Sequence, residues 1–205
     1  LDFYSRNFNI PWPWPRGLYA RAIDFLTSAG VQAIGLYMIF RDPSSFGSEE
    51  DEQLAAAMQR AGNVFMPLFF SDQGAVASGS DRFALPADPG FSRLPVKAGM
   101  KSVPLPPVLA SLRGSGNAFS LLDQDSVFRR LQHFVRCQNH VYPSLSLSLA
   151  MFFDPGLNVR QIPFAADGGL NLKFYSRDSF RRFSISELIQ SQVRLEEKKK
   201  AVVPV

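Results

Sequence analysis

The residues best placed to do chemistry are Trp12, Trp14 and Arg16, in the run Trp12-Pro13-Trp14-Pro15-Arg16 at the start of a helical pattern. Two indoles and a guanidinium at a helix N-terminus can cradle an anion or a small polar molecule. The helix dipole and the cation favour negative charge, and the rings supply flat apolar walls. Crevices at strand C-termini are where open α/β sheets bind ligands. The structural alternative is that Trp-Pro-Trp-Pro fixes the path of the chain and closes one end of the core.

A second group is Asp123, Asp125 and Arg129. Asp123-x-Asp125 has the opening spacing of a calcium loop, but Phe134 stands where the closing bidentate Glu belongs. A tight turn whose carboxylates accept backbone amides fits better. His133, Cys137 and His140 offer ligand types suited to zinc or copper. A strand over this stretch turns His140 away from the other two, and a closed site needs a fourth ligand. A buried thiol with two ordinary histidines is the simpler reading. The acidic cluster Glu49, Glu50, Asp51 and Glu52 is read as negative charge on a helix start. No metal or cofactor is expected. Signatures of a catalytic serine elbow, a phosphate loop and a dinucleotide fingerprint are absent, and Gly99-Met100-Lys101-Ser102 lacks the upstream spacing of the second.

The bulk properties agree with one globular domain. The chain has 205 residues, 46% of them hydrophobic, and its nineteen Phe predict an aromatic-rich core. A net charge of +4 is modest, no stretch is read as interleaving Lys/Arg with aromatics as a nucleic-acid groove would, and no nucleic-acid partner is expected. With one cysteine, no internal disulfide forms, which fits a cytoplasm or a bacterial periplasm and excludes a disulfide-stapled secreted fold. No apolar run reaches the roughly 18 residues of a membrane span. The chain starts at Leu1 without a signal peptide and reads as part of something longer.

The elements that would position these residues begin with a repeated unit. Leu18, Ala22, Phe25, Leu26 and Ala29 lie at helical spacing, Gly30 caps the helix, and Val31–Phe40 is an apolar strand. Ser48 and Asp51 suggest a capping box, Leu54, Ala57, Met58 and Ala61 a buried face, Gly62 a cap, and Val64–Phe70 the next strand. Strands apolar throughout are buried on both faces, so the fold class is α/β: a mostly parallel or mixed sheet with helices packed on its faces. Segment 71–107, rich in Pro and Gly, reads as a long irregular insertion within a single domain spanning 1–205. Strands are expected at Ala118–Leu122 and Phe128–Cys137 with a turn at Asp123–Ser126, and extended segments at Val159–Phe164 and Leu170–Phe174. Tyr142–Ala150 fits a strand by its Ser/Leu alternation and a helix by Pro143 with Leu145, Leu149 and Phe152. Ser184 and Glu187 cap a helix over Ser186–Gln192, and a solvated turn at Glu196–Lys200 leads to a strand at Ala201–Val205.

The run from Trp12 to Arg16, with Ala29-Gly30-Val31-Gln32-Ala33-Ile34-Gly35 and Phe40-Arg41-Asp42-Pro43, resembles the type 2 CHASE domain, a sensory extracellular module associated with cyclases and histidine kinases. Asp51 with Leu54–Ala57, Gly62-Asn63-Val64 before Pro67, Asp123-Gln124-Asp125 before Arg129-Arg130, and Tyr142-Pro143-Ser144-Leu145 match in order. Leu1-Asp2 and Ser5 fit the end of the family's first strand, and Lys200 to Val205 the start of its last. The resemblance implies a non-catalytic domain outside the cytoplasmic membrane, anchored by flanking membrane helices. It also implies a cytoplasmic kinase or cyclase output, a homodimeric parent, and a small molecule or protein as the stimulus. It turns Tyr142–Ala150 toward helix. Three departures fall where a pocket would be shaped. Tyr37 stands for an Asp in the second strand, Asp125-Ser126 for Asp-Gly, and the Asn before that turn is missing. The resemblance therefore names no ligand. The candidate binding residues are Asp2, Ser5, Trp12, Trp14, Arg16, Tyr37, Asp123, Asp125 and Arg129. The rival readings are a small-molecule enzyme on an α/β scaffold and a protein-interaction domain without a small ligand. Close approach of Leu1 and Val205 is expected of a domain held between membrane helices.

Overall fold

The computed structural model describes residues 12–86, 88–123, 125–198 and 202–203. The expectations for Asp2, Ser5, the two chain ends and most of the last strand lie outside the described residues.

The repeated unit forms as α1 (Arg16–Ser28), β1 (Ile34–Gly35), α2 (Ser48–Ala61) and β2 (Val64–Ser71). Both helix stops behave as the glycines predict. Gly30 is left-handed (φ +74°), its amide donates to the Thr27 carbonyl at 3.0 Å, and the Val31 amide donates to Leu26 at 3.1 Å. That is a Schellman closure, available cheaply only to glycine. Gly62 (φ +65°) ends α2 and donates to Met58. The start of α2 differs from expectation. Its N-cap is Gly47, no side chain caps it, and Ser48 already lies inside the helix. Asp51 is therefore free to turn inward.

β1 is much shorter than the apolar run Val31–Phe40. The Leu36 amide bonds to Phe65, but the Met38 amide turns back to the Leu36 carbonyl at 2.8 Å, which ends the ladder. Beyond it the chain leaves the sheet, and Phe40 is held separately, buried, with its carbonyl accepting the Leu105 amide.

β3 (Val96–Lys97) and β4 (Gly99–Ser102) lie in the Pro/Gly-rich segment, and α3 (Pro106–Ser111) and β5 (Gly114–Asn117) follow. The first half of β2 sits between two parallel neighbours, with Phe65 opposite both Gly35 of β1 and Gly114 of β5. Its second half pairs antiparallel with β4, so segment 71–107 supplies a strand to the central sheet.

The sheet is covered on both faces. Val64, Met66 and Leu68 share one core with Ile23 of α1, Leu54 and Met58 of α2, and Val108 of α3. Each such side chain contributes about 1.5–3 kcal/mol by burial. The opposite face carries α4 (Leu145–Phe153), whose Phe152 meets Phe65 edge-on at 5.3 Å. Two glycines permit that docking. A Cβ at Gly114 would lie 2.3 Å from the Phe65 ring, and one at Gly116 would lie 2.6–2.7 Å from the Pro143–Leu145 backbone. Tyr142–Ala150 resolves toward helix. Ser144 is the N-cap, its hydroxyl accepting the Leu147 amide at 3.1 Å.

The remaining strands form two small sheets. One joins β6 (Ser120–Leu122), β7 (Phe128–Gln132) and β10 (Gly169–Asn171); the other joins β3, β8 (Phe134–Cys137) and β9 (His140–Pro143). The expected strand Phe128–Cys137 is thus two strands broken at His133. There the backbone changes partners, the His133 amide going to Gly168 and its carbonyl accepting Ser144. Instead of the expected extended segment, Val159–Gln161 is a 3-10 turn. α5 (Ile185–Glu196) packs on α1 and runs longer than expected, and Ser184 and Glu187 form the reciprocal capping box. Val202 and Val203, the described part of the last apolar stretch, form no strand. The aromatic core is only part of the story: seven of the phenylalanines are exposed among the described residues. No helix of the described residues is long and apolar enough to cross a membrane.

Candidate functional site

The first three candidates come together. Trp12, Trp14 and Arg16 line a solvent-open cleft of about 250 Å³ with Tyr19 and the rim segment Met38–Phe46, at the C-terminal end of β1. Trp14 is buried and stacks on Tyr19 with centroids 6.0 Å apart, while Trp12 meets it edge-on at 5.7 Å and is 64% exposed. Tyr19 in turn meets Phe40 at 5.2 Å. Phe46, also exposed, lines the cleft from the rim.

Arg16 is the back wall of this cleft and is held by contacts with the protein. Its guanidinium pairs with Asp51 at 2.6 Å, donates to the Asp42 carbonyl, and lies 4.9 Å from the Phe40 ring centroid. Both partners of the pair are buried. Asp51 also accepts the Ser44 amide at 3.0 Å. The same acidic helix start reaches further, with Glu50 accepting the Gly17 amide at 2.6 Å and so satisfying an orphan donor of α1. Reading Glu49–Glu52 as simple helix-start charge therefore needs correction. Two of the four carboxylates are contacts that tie α2 to α1 and to the rim. The signal was available in the sequence, because a buried Arg requires a carboxylate, and Asp51 lies one helical turn from the apolar face at Leu54 and Ala57.

Because Asp51 neutralises Arg16, the cleft is an aromatic pocket with backbone polar edges rather than a concentrated anion site. Such walls suit a flat or amphipathic small molecule held by ring contacts.

Tyr37 stands apart from this cleft, exposed, its phenol donating to the Ala118 carbonyl at 3.2 Å just past β5. Asp123, Asp125 and Arg129 form another cluster. Arg129 pairs in a fork with Asp125 (2.7 and 2.8 Å) and also reaches Asp123 at 3.1 Å. Arg130 bridges Asp123 at 3.0 Å and Asp167 at 2.8 Å. Arg130 entered the sequence reading only as part of the resemblance, not as a candidate binding residue, and Asp167 was not singled out. The Arg129 hydrogen bond holds the Asp125 carboxyl below its usual range, and the two arginines are pushed up by their carboxylates. The turn itself matches expectation: the Asp123 amide bonds to Val127, and Asp125 accepts the Val127 amide. Ser126, where the resembling family carries Gly, adopts a left-handed backbone (φ +62°).

His133, Cys137 and His140 do not converge, and no group of three metal-ligating side chains lies together among the described residues. Cys137 and His140 are cross-strand partners in the β8–β9 hairpin, whereas His133 turns to the Ser144 hydroxyl, 2.7 Å from its Nδ1. Burial holds the His133 imidazole below its usual pKa and pushes the Cys137 thiol up. As the N-cap of α4 the Ser144 hydroxyl oxygen accepts the Leu147 amide, and it also lies 3.0 Å from the Ser146 hydroxyl.

The fold and cleft define an α/β domain with helices on both sheet faces and an open aromatic pocket at the strand ends. Residues 3–203 match the family model of the CHASE2 domain. The chain belongs to the CHASE2 family of extracellular sensory domains. Comparison with curated proteins and with solved structures found no match.

Proposed function

We propose that the chain is the extracytoplasmic sensing module of a membrane-anchored bacterial receptor. In this reading it is non-catalytic and passes a change in packing to membrane helices and a cytoplasmic kinase or cyclase, in a homodimeric parent. The observation that carries this reading is the family match over nearly the whole chain. The aromatic cleft at Trp12, Trp14 and Phe46 is the receiving site. Its rim touches α1 through the Asp42 carbonyl on Arg16 and α2 through Ser44 on Asp51, so occupancy that moves the rim changes the packing of two core helices.

A thermal-shift screen of the 205-residue chain against metabolites and anions tests the site. A ligand at about 100 times its dissociation constant stabilises the fold by about 2.7 kcal/mol, a shift of about 5–10 °C for this size. Trp12→Ala, which removes an exposed ring, is expected to abolish the shift. A shift that survives Trp12→Ala and Phe46→Ala moves the site elsewhere. Silence across the screen favours a protein stimulus over a small molecule.

A further inference from the structure

From Asn171 to Ser184 every described side chain is exposed. Within this stretch Phe174, Tyr175, Phe180 and Phe183 are 50–69% exposed, four large rings left outside any core in ten residues. Interleaved with them are Lys173, Arg177, Arg181 and Arg182 against the single carboxylate of Asp178, a net charge of +3. Scattered apolar side chains on a surface need no explanation, but a contiguous aromatic and cationic group does.

The segment is also organised. A 3-10 turn at Arg177–Ser179 brings Tyr175 edge-on to Phe180 at 6.2 Å, and the Lys173 ammonium lies 5.4 Å from the Tyr175 ring centroid. The Ser176 and Ser179 hydroxyls meet at 3.1 Å across the turn. At its start the Leu172 amide bonds to the Arg129 carbonyl, which extends the β10–β7 register and sets the segment beside the exposed Val127–Phe128 tip. At its end the Ser184 capping box begins α5.

Two residues past α5 lie against that helix. Lys198 is left-handed (φ +58°), and the Val202 and Val203 amides both bond to the Ser191 hydroxyl at 3.0 Å. Val202 and Val203 therefore lie beside the middle of α5. Six residues of helix, about 9 Å, separate Ser191 from Ile185 and the aromatic segment.

We propose that loop 172–183 docks on an anionic bilayer surface, its aromatic rings entering the headgroup boundary and its Lys and Arg side chains pairing with lipid phosphates. Rings with one apolar body and flanking cations that reach outward are the composition of membrane-interface segments. Each cation also gains from the negative surface potential. The contact fixes the tilt of the domain relative to the bilayer. It rests on the receptor reading for its biological setting, though not for its chemistry.

Co-sedimentation of the 205-residue chain with vesicles of phosphatidylcholine containing phosphatidylglycerol, and with phosphatidylcholine alone, tests the proposal. Binding is expected only with the anionic lipid and is weakened by salt. Phe174→Ser with Phe180→Ser, and separately Arg181→Gln with Arg182→Gln, should each weaken it at least tenfold. Both pairs are exposed, so an unchanged thermal midpoint certifies the fold. An environment-sensitive dye on Phe180→Cys should shift to the blue on anionic vesicles. No binding at low salt overturns the proposal, as does binding that both double variants retain. Capture of a single-stranded oligonucleotide or self-association through these residues, without vesicle binding, overturns it in favour of that partner. A separate topology reporter on the full-length receptor distinguishes the two readings. Vesicle binding with a cytoplasmic reporter sinks the sensory reading alone, and an extracytoplasmic reporter without vesicle binding sinks the docking loop alone.

Discussion

Two charge clusters, one behind the aromatic cleft and one on the β6–β7 hairpin, hold the domain in opposite ways. Arg16 and Asp51 are a single ion pair, buried, with a ring and backbone groups around it. Asp123, Asp125, Asp167, Arg129 and Arg130 make four ion pairs, all of them at least partly in water. Counting bridges would give the hairpin the greater weight. Burial gives it to the single pair, because removing one partner there leaves a charge that is only 9% exposed, whereas solvent screens the other five groups.

The sharpest test of this contrast is Asp51→Ala. It should destabilise the chain by about 3–5 kcal/mol, read from denaturant midpoints, and loosen the Ser44 rim. Arg16→Met with Asp51→Leu should recover most of that loss, since the cost lies in the uncompensated charge. A double variant as unstable as the single one would place the energy in the hydrogen bonds to Asp42 and Ser44 instead.

A pH series separates both clusters from a third buried group. On the hairpin, the Arg129 hydrogen bond holds the Asp125 carboxyl below its usual range. His133, depressed from 6.5 by burial, is refused a proton by the folded state that the unfolded chain accepts. Stability is therefore complete above about pH 6.5 and declines as the pH falls toward the depressed folded value. His133→Gln should flatten that decline, and a slope that persists in the variant assigns it to another group.

On the hairpin the largest effect should come from the backbone rather than from charge. Ser126→Gly removes a left-handed non-glycine residue and is expected to stabilise by about 0.5–1 kcal/mol. Smallest of all is Arg129→Gln, whose denaturation midpoint should be indistinguishable from wild type. A clear loss there would show the network acting as a cooperative unit.

How legible these features were depends on the kind of residue that makes them. The helix ends were readable because only glycine takes the conformations at Gly30 and Gly62 without cost, and the aromatic run at Trp12 announces itself. β5 was hidden, because Gly114-Ser115-Gly116-Asn117 has neither apolar periodicity nor β-branched residues. Its strand character comes from what approaches it: α4 on its bare backbone, the Ser115 hydroxyl on the Met66 carbonyl, and the Asn117 amide on Gln132. Tertiary contact overrides propensity there. Asp51 was masked by its acidic neighbours, which look alike until the helix phase sorts inward from outward. The expectation that no stretch interleaves Lys/Arg with aromatics is overturned at 173–183, whose rings are exposed, because an apolar residue reads as core until burial shows otherwise.

β2 carries one further consequence. β1, β5 and β4 all hang on its eight residues, so none of them keeps its place in the central sheet once β2 is lost. Its amide protons should therefore exchange with solvent only when the whole molecule opens, while most of those in 173–183 exchange freely. The slowest and fastest clocks of the chain would then sit in its central strand and in its aromatic loop.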